Sequence, residues 1–260
     1  CRFGQYNVYL RKFIKKNRIP DVAVLTLSDD NSYAGLGSRF SYRAWQAIVI
    51  SDIMEDIRQA INVIAIEPES AMKIFEKEWE NIILAIERKN GISVEKQLRI
   101  SAENLRKIPV KYPITQAKFV AIIGEIYVRR DALSRQGITD YLAKRGFISR
   151  IAPVGEYIYY SDYLLRKKLS RTKLTFSEKL EHKIKGFFQI RIEDKFKRIL
   201  ASSGLYEYEQ IDVEKTIKHA AHLISPYMAG ESILTVGLGL REILSTACGV
   251  ISIGPFGCMP

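Results

Sequence analysis

A strand–helix–strand pattern between residues 118 and 154 constrains the fold of this chain more than any other feature. Two apolar runs rich in β-branched residues, Lys118–Ile126 and Ser149–Val154, flank the helical pattern Thr139–Arg145. Apolar runs of this length, bounded by turn residues, are typical of buried strands. Gly146 follows the helical pattern, and glycine commonly ends a helix in the left-handed conformation. Because strands that are joined by a helix are parallel, the sequence predicts a parallel sheet.

The same alternation of strands and helices continues along the chain. Asp21–Leu27 and Gly249–Ile253 predict two further strands. Helical periodicity is present in Gln5–Lys16, Tyr42–Ala60, Ser70–Arg88, Ser93–Lys107, Ser177–Ser202 and Val213–Ile224. We therefore expect one α/β domain over residues 1–260, with a mainly parallel, doubly wound sheet of the Rossmann or flavodoxin type. The two regions that carry helices without a strand, about 60–107 and about 163–226, are expected to be helical insertions.

Composition places the chain among cytoplasmic globular proteins. Its 260 residues are 47% hydrophobic and 27% charged, and its apolar runs are shorter than a membrane span requires. The three cysteines, Cys1, Cys248 and Cys258, do not form a disulfide framework, so a reducing compartment is expected. The chain begins with Cys1 rather than Met, and we expect it to be an internal piece of a longer protein.

The net charge of +11 is concentrated in two stretches. Residues 1–20 contain six Lys or Arg and no acidic residue, and residues 166–198 contain twelve Lys or Arg and four acidic residues. Such patches attract nucleic acid, acidic proteins or phosphate groups, although a solvated basic helix face has the same composition. Nucleic acid is the weakest of these alternatives, because the charge is accompanied by no recognised nucleic-acid-binding motif.

Three of the predicted strands end in loops with polar or reactive side chains. The loops contain Glu125 and Arg129 after the first of them, Glu156 after the second and Cys258 after the last. In open α/β sheets, ligands bind outside the carboxyl ends of the strands. Glu125, Arg129 and Glu156 are therefore candidate catalytic residues at one rim of the sheet. The alternative is that the Gly and Pro residues in these loops simply turn the chain out of each strand.

Two of the cysteines lie in loops that suit a metal ligand. Cys258 is in the glycine- and proline-containing segment 254–260, and Cys1 opens the basic segment 1–6. A [4Fe–4S] cluster takes four thiolate ligands, so any cluster here requires ligands outside this chain. Cys248 follows Ser-Thr-Ala at the end of a helical pattern and has the character of a small buried hydrophobe.

Four segments of the chain, taken in order, resemble a known family. They are Cys-Arg-Phe-Gly-Gln-Tyr at 1–6, Gly-Glu-Ile-Tyr-Val-Arg-Arg-Asp at 124–131, Ala-Pro-Val-Gly-Glu-Tyr at 152–157 and Gly-Pro-Phe-Gly-Cys-Met-Pro at 254–260. In these segments the chain resembles the uncharacterised domain of CoA enzyme activases, the acyl-CoA dehydratase activase-related proteins. The family often has Trp at the position of Tyr157, which is a mild departure.

The resemblance implies a function that composition does not. Members of this family often share a polypeptide with an ATPase domain and are similar to the cluster-bearing subunits of 2-hydroxyacyl-CoA dehydratases. Cys1 and Cys258 match the family's cysteine motifs, so the resemblance makes them the candidate ligands of a shared iron–sulfur cluster of the [4Fe–4S] type. It implies an electron-transfer domain that works with an ATPase activase domain and with dehydratase or reductase subunits. The alternative is a non-catalytic docking module between the ATPase and reductase parts.

Overall fold

The computed structural model describes residues 3–24, 36–167, 169, 176–228, 230–245 and 247–255, with the backbone alone for residues 3–6 and 176–182. Its contacts divide the chain into two compact units, Cys1–Trp45 and Gln46–Pro260. Helix α1, Phe3–Lys16, belongs to the first unit. Helix α2, Gly37–Ile64, starts in the first unit and continues into the second. The single domain over residues 1–260 stays a prediction.

A three-stranded parallel sheet with the order β2-β1-β3 lies in the second unit. Its strands are β1, Lys118–Gly124, β2, Phe147–Ile151, and β3, Ala247–Ile253. The central strand β1 is buried at every residue except Lys118, because it has a neighbour on each side. Three of the four predicted strands and their parallel arrangement are thus confirmed.

Helices make up most of the rest of the second unit. They are α3, Pro68–Ile86, α4, Val94–Arg106, α5, Ile138–Ala143, α6, Val154–Arg166, α7, Phe176–Ala201, α8, Val213–Ala220, and α9, Ser232–Ser245. The helices that were predicted in the regions 60–107 and 163–226 are therefore present. Among the described residues, no helix is both long enough and apolar enough to cross a membrane.

The sheet is covered by a helix on each face. On one face, Val120 and Ile122 of β1 pack with Leu142 of α5. On the other face, Ala121 and Ile123 of β1 pack with Leu238 of α9. A separate apolar cluster joins α6, α8 and α9. Burial on both faces explains why β1 is a continuous apolar run rather than an alternating one.

The α/β class is confirmed, but the doubly wound sheet of the Rossmann or flavodoxin type is wrong. The described residues form one sheet of three strands. In the predicted strand Asp21–Leu27, residues 21–24 are not in a strand, and residues 25–27 lie outside the described residues. Much of the apolar surface is buried by helices and not by further strands: Ile50, Ile53 and Ile57 of α2 are almost completely buried.

Two glycines permit close approaches that this packing requires. Gly124 has a φ of +116°, and a Cβ atom there would lie 1.9 Å from the carbonyl oxygen of Ile253. A Cβ atom at Gly237 would lie 2.1 Å from the carbonyl oxygen of Thr216. Side chains at these positions would force β1 away from β3, and α9 away from α8, so the two glycines fix the spacing around the carboxyl edge.

Candidate functional site

The turn after β1 begins with Glu125, the first of the predicted site residues. Its backbone N–H donates to the carbonyl oxygen of Ile253 at 2.9 Å, which extends the contact between β1 and β3. Its carboxylate accepts a hydrogen bond from the N–H of Val128 at 2.8 Å. The next amide, that of Ile126, donates to the carboxylate of Glu231 at 3.3 Å. Glu125 thus holds the turn in place at the carboxyl end of the sheet.

Arg129 joins two strand ends through its guanidinium group. Nη1 donates to the carbonyl oxygen of Gly124 at 2.7 Å, and Nη2 donates to that of Pro153 at 3.1 Å. Gly124 is the last residue of β1, and Pro153 lies between β2 and α6. The side chain is 4% exposed, and burial is the main reason why the pKa of Arg129 is lowered. Nearby Glu156 opposes that shift.

Glu156 lies in the first turn of α6 and is 2% exposed. Thr216 Oγ1 donates to its Oε1 at 3.4 Å, while its Oε2 has no hydrogen-bond partner among the described residues. Burial raises the pKa of Glu156 to about 7, although the positive charges of Arg129 and Arg241 work against the shift. A carboxyl group in this setting exchanges its proton near neutral pH.

The start of α6 is capped by Asp52, a residue of α2 that the sequence analysis did not select. Its Oδ1 accepts from the N–H of Val154 at 3.0 Å, and its Oδ2 accepts from the N–H of Gly155 at 3.1 Å. Arg130 forms an ion pair with the same carboxylate at 2.6 Å. Asp52 therefore satisfies backbone N–H groups that have no partner within the helix, and it brings α2 to the carboxyl edge.

The three acidic residues at positions 52, 55 and 56 of α2 lie in three different settings. Asp52 is the cap just described. Burial alone would raise the pKa of Glu55, but hydrogen bonds from Arg58 and Arg135 outweigh it and lower the pKa to about 2. Burial raises the pKa of Asp56 to about 7, because the opposing charges of Arg130 and Arg150 do not compensate for it. Asp52 and Asp56 are four residues apart and lie beside the apolar stripe of α2. This spacing is the signal in the sequence that distinguishes them from ordinary surface charges.

A charged cleft of about 60 Å³ lies between α2, β2, α9 and the chain after α7. Arg150 forms an ion pair with Glu207 at 2.9 Å and lies 3.7 Å from Glu242. Arg241 forms ion pairs with Glu209 and Glu242, each at 3.0 Å. Ligand pockets for metabolite-sized molecules have volumes of several hundred Å³, so this cleft has room for a few waters and is too small for a CoA thioester.

The structure brings three of the predicted site residues together and leaves two undescribed. Glu125, Arg129 and Glu156 all lie at the carboxyl edge, where their polar groups contact other parts of the chain. Because each is at most 4% exposed, their contacts lock the strand ends and give a substrate little access. Their catalytic role stays a prediction. Cys1 and Cys258 lie outside the described residues.

The described residues alone do not fit an iron–sulfur cluster. Cys248 is the free cysteine among them, and it is exposed rather than buried as its sequence context indicated. No group of three or more His, Cys, Asp or Glu side chains in this part of the chain could hold a metal ion. Any cluster therefore depends on thiolates beyond the described residues.

Comparison of the chain with protein-family models, with curated proteins and with solved structures gave no significant match.

Proposed function

We propose that this chain is an iron–sulfur-linked electron-transfer domain that works with the ATP-dependent activation of 2-hydroxyacyl-CoA dehydratase-type enzymes. Its partners are an ATPase activase domain, in the same or another polypeptide, and dehydratase or reductase subunits. A [4Fe–4S]-type cluster is held by Cys258, Cys1 and thiolates outside this chain. The exposed thiol of Cys248 suits the reducing cytoplasm in which such a system works.

The proposal is supported by the way the strand ends are locked at the carboxyl edge. Arg129 bonds the end of β1 and the β2–α6 connection, and the amide of Glu125 bonds Ile253, the last residue of β3. Cys258 follows Ile253 by five residues, a distance of at most about 18 Å in an extended chain. A ligand-bearing segment that starts from a rigid edge is positioned better than one that starts from a long loop.

The proposed division of roles follows from the burial of the edge. In this proposal Glu125, Arg129 and Glu156 position the segment that carries Cys258, and their burial gives a substrate little access to them. When bound, the cluster would accept and pass on one low-potential electron, and the acyl-CoA chemistry would occur on the partner subunits. This division agrees with the small volume of the charged cleft, which excludes a CoA thioester.

The test is to replace each cysteine by serine in the full-length protein and to measure iron content and visible absorbance after anaerobic purification. Cys258→Ser and Cys1→Ser should each lose more than half of the bound iron, because serine is a poor replacement for a thiolate ligand. Cys248→Ser is the matched control, since it removes an exposed thiol that has no assigned role. Unchanged iron in both ligand variants would overturn the assignment. A loss of iron in Cys248→Ser alone would show that Cys248 is the ligand instead of Cys1 and Cys258.

A docking module is the second candidate, and the exposed part of α7 favours it. Ile184, Phe187 and Phe188 are each more than half exposed, although they are large apolar side chains. The guanidinium of Arg191 lies 4.8 Å from the ring centre of Phe187, and Lys183 is also exposed. Exposed aromatic and basic side chains on one helix are typical of a protein-binding surface. The occupant we propose is an apolar surface with acidic residues on the ATPase activase domain.

Binding of the purified ATPase domain to the full-length protein tests the docking candidate. Phe187→Ser with Phe188→Ser should weaken binding at least tenfold, and raising the salt concentration should weaken it further, because exposed charges are screened. Leu133→Ser is the control, since Leu133 is 86% exposed and belongs to the turn after β1. Binding that depends on neither salt nor these aromatic residues would contradict the docking candidate. It would not affect the cluster assignment, which the cysteine variants test separately.

A further inference from the structure

The charged cleft and a smaller cavity beside it contain buried polar atoms that have no hydrogen-bond partner among the described residues. Ser149 in β2 is 1% exposed, and its Oγ makes no hydrogen bond within the described residues. The same holds for Oδ1 of Asp56 and for Oε2 of Glu242, although Glu242 also takes part in ion pairs. Unpartnered buried polar atoms on the wall of a cavity are the usual sign of bound water.

Two adjoining cavities meet at Asp56. The charged cleft of about 60 Å³ includes Asp56 in its wall, and so does a smaller cavity of about 20 Å³ that also includes Ser149. Glu209 and Gln210, which also line the cleft, are exposed to solvent, so we take their side of the cleft as its mouth. Together the cavities have room for a short chain of waters from the surface to Asp56.

Asp56 is the acidic side chain that the ion pairs of the cleft leave out. Asp52 is paired with Arg130, Glu207 with Arg150, and Glu209 and Glu242 with Arg241. Lys197, which also lines the cleft, is paired with Glu193 at 2.6 Å. The basic side chains of the cleft are therefore all engaged with other carboxylates, and an ionised Asp56 would add a negative charge that none of these pairs compensates.

Charged or titratable groups from every element around the two cavities either act on Asp56 or line the cavities with it. Asp52 and Glu55 are on the same helix as Asp56, and Arg130 follows β1. The others are Arg150 of β2, Lys197 of α7, Tyr206, Glu207 and Glu209 of the chain after α7, and Arg241 and Glu242 of α9. Burial of Asp56, together with the negative charges of Asp52 and Glu55, outweighs Arg130 and Arg150 and raises its pKa to about 7.

We propose that the charged cleft is a proton-binding site, in which Asp56 takes up one proton that reaches it through water held between the cleft mouth and Ser149. A hydronium ion at the mouth gives up its proton to the water chain, and an O–H bond forms on the carboxylate of Asp56. The step needs no other reactant. It makes the flank of the sheet one charge less negative, whether or not a cluster is bound, so the inference is independent of the proposed function.

The sign of the effect follows from the two states of the chain. The pKa of Asp56 is raised from its usual 3.8 to about 7 in the folded protein, so the folded state holds this proton more tightly than the unfolded state. Its contribution to stability is therefore complete below about pH 4 and is lost as pH rises to about 7. Asp56→Asn has nearly the same shape and does not titrate, so it removes this dependence.

The experiment compares the folding equilibrium constants of Asp56→Asn and the wild-type chain between pH 5 and pH 9 by urea unfolding. The folding equilibrium constant of Asp56→Asn divided by that of the wild type should rise by up to tenfold per pH unit between pH 5 and pH 7. This ratio should be constant above pH 8. Glu156 titrates in the same range, but it is present in both proteins and its effect cancels in the ratio. Asp52→Asn, one turn away on α2, should instead fold less well than the wild type at every pH. A ratio for Asp56→Asn that does not change with pH would overturn the proposal.

A second measurement does not depend on the folding of the variant. In wild-type protein labelled with ¹³C at the aspartate carboxyl carbon, one aspartate signal should titrate above pH 6. The label leaves Glu156 without a signal, so the two buried carboxyl groups are distinguished. If every aspartate carboxyl signal titrates below pH 5, Asp56 is ionised at neutral pH and the proton site is wrong.

Discussion

The carboxyl edge of the sheet and the charged cleft are two groups of buried charges that are partnered in different ways. At the edge, Arg129 and Asp52 bond backbone groups at the ends of strands and at the start of α6. In the cleft, side chains bond mainly one another, and the oxygen Oδ1 of Asp56 bonds no described atom. Thr216 lies between the two groups, because it donates to Glu156 and is 3.5 Å from Arg241.

The difference shows what each group of charges contributes. A charge that bonds the backbone at a strand end holds the chain in a single arrangement, and removing it leaves buried carbonyl or N–H groups without a partner. A buried carboxylic acid without a partner is tolerated because it keeps its proton. It lowers the stability of the folded state only when the pH rises and the proton is lost. We therefore expect substitutions of Arg129 or Asp52 to act at every pH, and substitutions of the titrating carboxyl groups of Asp56 and Glu156 to have effects that change with pH.

Arg129→Leu should have the largest effect, with a loss of about 3–5 kcal/mol in the free energy of unfolding, because it leaves the carbonyl oxygens of Gly124 and Pro153 without this partner and removes one of the two cations that act on Glu156. Urea unfolding measures the loss. Arg145→Leu is the control, since Arg145 is exposed, follows α5 and bonds the carbonyl oxygen of Tyr141 in that helix. Equal losses in the two variants would mean that the bonds from Arg129 at the carboxyl edge stabilise the fold no more than an exposed hydrogen bond does.

Asp52→Asn should cost about 2–3 kcal/mol, because the amide replaces a charged cap on two N–H groups and breaks the ion pair with Arg130. Asp212→Asn provides the comparison. Asp212 caps α8 at an exposed position through the N–H of Lys215, where asparagine is an equally good cap. Thermal or urea unfolding distinguishes the two variants, and a loss below about 0.5 kcal/mol in Asp52→Asn would show that capping by Asp52 contributes little to stability.

The difference in the free energy of unfolding between Glu156→Gln and the wild type should change by about 1–3 kcal/mol between pH 5 and pH 8. The pKa of Glu156 is raised from 4.5 to about 7 in the folded state, so the wild-type chain loses stability as pH rises between those values. Glutamine does not titrate, and the variant should gain relative to the wild type from pH 5 to pH 7. In Glu95→Gln the sign should be opposite, because a hydrogen bond from Lys195 lowers the pKa of Glu95. A pH-independent difference between Glu156→Gln and the wild type would contradict the prediction.

Lys195→Met should have the smallest effect, below about 0.5 kcal/mol in urea unfolding. Lys195 of α7 forms an ion pair with Glu95 of α4 at 2.5 Å, but the two side chains are 51% and 37% exposed. Water and salt compensate for the loss of such a pair. A loss above about 1.5 kcal/mol would show that an exposed ion pair can stabilise this protein as much as a buried one.

Much of the fold follows from local sequence patterns. The runs at 118–126 and 249–253 were predicted as strands, and β1 and β3 occupy those positions within a few residues. The predicted strand Ser149–Val154 was displaced: β2 ends at Ile151, and Pro153 precedes the first residue of α6. The error has a physical cause. The cap of this helix is Asp52, about 100 residues earlier in the chain, so no residue next to Pro153 marks the start of the helix.

The candidate site divides in the same way. Its placement at the carboxyl edge could be predicted, because Glu125, Arg129 and Glu156 each follow a predicted strand in the sequence. The burial of these residues could not, because it depends on which other elements cover the edge. Neither could the roles of Asp52 and Asp56, which have the same chemistry and lie one turn apart on α2.

The sequence by itself determined the α/β class and the parallel strands, because hydrophobic periodicity and turn residues act within a few positions of the chain. Only the tertiary structure decided how many strands the sheet has and which charged side chain meets which partner. Burial and ion pairing depend on residues that are distant in the chain and adjacent in space. For that reason Asp52 is a helix cap bonded to Arg130, whereas Asp56 has a pKa of about 7 at the end of a polar cleft.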